Sequence, residues 1–133
     1  MERRLYFLLG DLLSNTGVGA LVGLALAALV GEAWPAVLGM VLGMIVGDVI
    51  ALPAALLLSV PFGATEVMLP VMATGMASGM VVGMLSAIGA VSGGFAAALG
   101  ALVGLAVLAA TYGLNAYVRA GYASTVRDGQ KTR

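Results

Sequence analysis

Gly75-Met76-Ala77-Ser78-Gly79-Met80-Val81-Val82-Gly83-Met84 repeats a glycine–methionine pair every four residues. An upstream twin, Gly39-Met40-Val41-Leu42-Gly43-Met44-Ile45-Val46-Gly47-Asp48, follows the same pattern and ends on a carboxylate. Residues four apart on an α-helix lie one above the other on nearly the same face. Each copy therefore presents a row of glycines beside a second row. Met68 and Met72 extend the downstream methionine row at the same spacing, and Asp48 ends the upstream one. A step of four overshoots the ~3.6-residue helical turn, so both rows slant slowly around their helices.

The rest of the chain says where such helices sit. Of the 133 residues, 62% are hydrophobic and 9% charged. Soluble domains carry ~25% charged residues, so this chain cannot cover a water-facing globule. The composition predicts an all-α integral membrane protein of one domain. A formal net charge of zero argues against a nucleic-acid partner. Cysteine and histidine are both absent. Disulfides, thiolate metal sites and the usual proton shuttle are thereby excluded. No nucleophile motif is visible either, and no enzyme is expected. Metal chemistry is left with thioether, carboxylate, hydroxyl and backbone oxygen.

Breaks divide the chain into four spans, at about residues 5–30, 35–58, 66–89 and 95–118, with a loose polar tail at 119–133. Each exceeds the ~20 helical residues that cross a bilayer core. Glu32, Trp34 and Pro35 mark the first break, and Pro61 and Gly63 the second, with Thr65 as N-cap and Glu66 in the first turn. Ser92, Gly93 and Gly94 mark the third break. Pro53 should kink the second span. Tyr112, Tyr117 and Tyr122 resemble an interfacial aromatic belt. Arginine and lysine occur only near the two ends, which places both termini in the cytoplasm of a prokaryotic inner membrane and requires an even number of spans. The expectation is a four-transmembrane-helix bundle. A fainter echo joins spans one and four: Gly19-Ala20-Leu21-Val22-Gly23 recurs as Gly100-Ala101-Leu102-Val103-Gly104. The A-B-B-A order speaks for shared packing demands, not for duplication of a helix pair.

Consecutive spans two and three should run antiparallel. Folding the chain at Phe62 brings Met40 level with Met84, Met44 with Met80 and Asp48 with Met76. Thioethers and one carboxylate would then line a seam, with Gly39, Gly43, Gly47, Gly75, Gly79 and Gly83 letting the backbones approach. Two accounts of the methionines stand side by side. They fill gaps beside glycine as flexible apolar side chains, or they are ligands. All methionines except Met1 fall in two spans. A carboxylate near mid-bilayer costs ~2.5–3.5 kcal/mol on insertion scales, which marks Asp48 as functional by default. Asp11 is shallower and within reach of the cytoplasmic interface.

Thioethers select Cu(I) among biological metals. Met40-x-x-x-Met44 and the Gly75/Gly79/Gly83 spacing resemble the MxxxM and GxxxG elements of Ctr-type copper transporters. The resemblance implies that Met40 and Met44 are pore ligands and that Gly75, Gly79 and Gly83 pack helices. Four spans instead of three, and the lack of a methionine-rich outer segment and of a Cys/His tail, depart from that family. The expected function is binding or transport of a soft cation, Cu(I), with Met40, Met44, Asp48, Met72, Met76, Met80 and Met84 as its ligand set. The expected partners are the lipid bilayer and further copies of the chain. Two alternatives stay open: an assembly subunit of a larger membrane complex, and a proton- or cation-coupled transporter centred on Asp48.

Overall fold

The computed structural model describes residues 2–31, 33–89 and 91–131, with side-chain environments over 5–127 apart from 64–66. Among them the chain forms four helices: α1 (Glu2–Leu29), α2 (Ala36–Phe62), α3 (Ala64–Ile88) and α4 (Gly93–Lys131). All four are long and apolar enough to span a membrane. The 27 residues of α2 make a rod of ~40 Å, more than a bilayer core needs.

Three boundaries differ from the sequence expectation. α2 runs straight through its break to Phe62, with Pro53 and Pro61 inside the helix. Only Gly63 separates α2 from α3, and it, not Thr65, is the N-cap of α3. Its φ of 91° lies in the left-handed region, which a side chain would strain. The tail expected to be loose is helical, because α4 continues past Arg119 to Lys131 as a 39-residue helix. Residues 120–127 of this extension are exposed. The roles expected of Glu32 and of the Glu66 side chain lie outside the described residues.

The bundle has a rhombic layout. Among the described residues α3 touches the other three helices, α1 and α3 meet across the middle, and α2 and α4 do not touch. Two pairs dominate, α2 with α3 and α1 with α4. Both are closed by glycine. A Cβ placed on Gly43 would overlap the Gly79 carbonyl, one on Gly47 the Gly75 carbonyl, and one on Gly19 the Gly100 carbonyl. The two sequence echoes are thus contact partners: B packs on B and A on A. Between the pairs lies the core of Val18, Val22, Leu26, Val67, Val71 and Val82. At one end the Phe62 ring lies against Gly10 and stacks obliquely on Tyr6 at 5.3 Å, which ties the α2–α3 turn to α1.

Candidate functional site

The α2–α3 seam is built from backbone. Gly39 faces Gly83, Gly43 faces Gly79 and Gly47 faces Gly75. The sequence reading put thioethers in the seam with glycines beside it; the structure reverses the two. No side chain fits where peptide groups touch.

The methionines stand along one edge of this seam. Met40, Met44, Met76, Met80 and Met84 each follow a seam glycine by one residue, a rotation of ~100° around the helix. In an antiparallel pair that rotation points to the same side of the contact on both helices. Both rows therefore share one face. The positions one residue before Gly47, Gly75, Gly79 and Gly83 point the other way, into the molecule. Thr74, Ser78 and Val82 are buried there on α3, and Val46 and Ile50 of α2 pack against the core. The methionine face is the outer face of the pair. Met76 and Met84 are each 38% exposed and Met68 42%. Met40, Met44, Met80 and Asp48 are half-buried. Met72 is partly buried and packs against the core.

The register is displaced by two residues from the one expected, because the glycine contacts set it and not the position of the turn. Gly43 opposite Gly79 places each α2 side chain between two methionines of α3. Down the face the order is Met84, Met40, Met80, Met44, Met76, Asp48, Met72. Successive members are ~3 Å apart in depth at the helical rise. The result is a staggered ladder, continuous from one end of the seam to the middle of the bundle. Asp48 lies at the midpoint of α2. Its Oδ1 is buried with no hydrogen-bond partner among the described residues. A buried acceptor without a donor costs ~1–3 kcal/mol, more when charged.

Ser86 Oγ is likewise buried without a hydrogen-bond partner among the described residues, whereas other buried polar side chains are paired. The Thr74 hydroxyl donates to Asn15 Oδ1 at 2.6 Å, joining α3 to α1 with both residues fully buried. Asn15 Nδ2 donates to the Asp11 carbonyl at 2.8 Å. An Asn in an apolar span signals a buried bond, but its partner lies 59 residues away and leaves no local trace. The Asp11 carboxylate accepts from the Tyr112 hydroxyl at 2.7 Å. It borders a cleft of 530 Å³ lined also by Leu69 and Pro70 of α3 and by Asn115 and Arg119 of α4. Among the described residues no group of three or more His, Cys, Asp or Glu side chains could hold a metal.

Comparison with protein-family models, curated proteins and solved structures returns no match. The copper-transporter resemblance therefore rests on its two short motifs alone.

Proposed function

We propose that the protein is an integral membrane protein, both termini cytoplasmic, that binds Cu(I) along the methionine ladder and relays it through the bilayer. The observation carrying this reading is the ladder itself: two rows from two helices, interleaved on one face and ending on Asp48. Thioethers a few ångströms apart in depth give a soft cation successive ligand sets, none of which must bind tightly. Asp48 supplies negative charge at the depth where a cation is least stable. Packing alone does not call for methionine, because the equivalent α1–α4 seam closes with alanine and leucine at its edge. The orientation follows from the arginines and lysines, which lie near the two chain ends. The residue bias fits a prokaryotic inner membrane. A reporter fused after residue 133 should report the cytoplasm and one inserted at Gly93 the outside.

The decisive measurement is Cu(I) stoichiometry of the purified protein against a competing chelator. With no cysteine or histidine in the chain, background binding is low. Met44→Leu combined with Met80→Leu should weaken Cu(I) binding at least ~10-fold. Volume-conserving swaps of this kind cost under ~1.5 kcal/mol, so thermal stability should stay near that of the parent. Met68→Leu, outside the interleaved ladder, should do less. Asp48→Asn should slow copper uptake into vesicles more than it weakens binding. A parent that binds no Cu(I) would leave the second reading, an assembly subunit. That reading is favoured by one observation: the ladder faces outward, where another protein can reach it.

A further inference from the structure

Helical serines and threonines of this molecule spend their hydroxyls on their own helix. Ser14 donates to the Gly10 carbonyl, Thr16 to Leu12, Ser59 to Leu56, Ser78 to Thr74 and Thr111 to Val107. A carbonyl three or four residues back is the ordinary outlet for a helical hydroxyl. Thr74 reaches across to Asn15 instead. Ser86 does neither. Its Oγ has no partner among the described residues, although the residue is only 3% exposed. Ser86 lines a cavity of 400 Å³ together with residues 27–31 at the end of α1 and with Val91 beyond α3. The cavity lies between the two glycine-closed pairs, at the end of the bundle opposite the chain termini.

The end of α1 supplies the rest of the lining. Its backbone bonding closes with the Val30 N–H on the Leu26 carbonyl at 2.9 Å. The next carbonyls, of Ala27, Ala28 and Leu29, receive no donor among the described residues. Such orphan carbonyls carry the negative end of the helix dipole, which a cation stabilises. α1 has no basic residue in its last turn, and the arginines and lysines lie near the two chain ends, at the other end of the bundle. The helix end and the side chains around the cavity therefore offer carbonyl oxygens and one hydroxyl, without a sulfur or a carboxylate among the described residues. Neutral oxygen ligands suit a hard cation and not a soft one. We propose that this cavity is a binding site for a hard monovalent cation, Na⁺ or K⁺, held by the carbonyls that close α1 and by the Ser86 hydroxyl. Helix C-terminal ends and freed backbone carbonyls hold such ions in other membrane proteins. The ion takes the place of the missing basic residue and gives the Ser86 oxygen its partner. It also ties α1 of one pair to α3 of the other, far from the Asn15–Thr74 bond. The site uses no thioether, so it does not rest on the Cu(I) reading.

Thermal unfolding of the purified full chain in neutral detergent tests the site, with a copper chelator present throughout. NaCl or KCl replaces N-methyl-D-glucamine chloride at constant ionic strength. With at least one of the two ions the melting temperature should rise by ~4 °C or more and saturate, as occupancy of a single site requires. Ser86→Ala removes a hydroxyl that has no partner, so without the ion it should melt with the parent. Its half-maximal ion concentration should be at least ~10-fold higher, the worth of one lost ligand. Ser78→Ala deletes a hydroxyl already bonded to the Thr74 carbonyl and should keep the parent's ion response. A parent without an ion-specific shift has only water in the cavity, which overturns the proposal whether or not the variants fold. Equal responses of Ser86→Ala and the parent, or equal loss in both serine variants, overturn it as well. The outcomes separate from the copper reading. A Na⁺ or K⁺ response in a protein that binds no Cu(I) keeps this site and sinks the ladder as a metal path. Cu(I) binding without that response does the reverse.

Discussion

The α1–α4 and α2–α3 pairs close by the same backbone device and differ in what stands beside it. In both, peptide groups touch where glycines remove the side chains. In α1–α4 the outer flank is alanine, leucine and one internally bonded threonine. In α2–α3 it is methionine and an aspartate with a partnerless oxygen. The comparison separates two questions that the sequence runs together. Close approach requires glycine and says nothing about the flank. The flank is free to vary, and on one pair it has been filled with soft ligands and a carboxyl.

The largest expected effect removes the shared device. Gly43→Leu and Gly100→Leu each force a side chain into an opposing backbone carbonyl. Both should cost more than ~4 kcal/mol and abolish folded protein on a detergent sizing column. Gly113→Leu, with open space around it, should leave yield and melting temperature unchanged. If the seam variants fold as well as Gly113→Leu, the glycine contacts are not what holds the pairs.

A smaller effect tests what joins one pair to the other. Leu26 is fully buried in the shared core. Leu26→Ala should cost ~2–5 kcal/mol, read as a lower melting temperature without loss of either pair. Smaller again is the bond between Asn15 and Thr74. A double-mutant cycle with Asn15→Ala and Thr74→Val should give a coupling of ~0.6 kcal/mol, and no more than ~1.7. A coupling near zero would mean that the pairs are joined by apolar packing alone. The smallest effect belongs to the Tyr112–Asp11 bond at the exposed end. Tyr112→Phe should change stability by under ~1 kcal/mol, the usual worth of a single hydrogen bond.

Much of the helical layout was legible because it depends on composition and period. Four apolar runs, broken by proline, glycine and serine, mark four helices with boundaries a few residues off. The largest errors have local causes. Pro61 suggests a break but stands inside α2. The tail beyond Arg119 looked loose because its composition is polar, yet it holds little that stops a helix. The glycine rows at Gly39–Gly47 and Gly75–Gly83, expected as packing positions, face one another across the α2–α3 contact.

The sequence by itself fixed an apolar all-helical chain, two glycine–methionine rows and a carboxylate at the middle of a span. These follow from residue type and from the period of a single helix, which are local properties. Which row would face the partner helix could not be read from spacing, because both rows repeat every four residues. Tertiary structure decided it through the distance between backbones. Peptide groups in contact admit glycine alone, so the methionines were turned to the edge. The antiparallel direction then placed both rows on the same edge, and the Gly43–Gly79 contact interleaved them with Asp48.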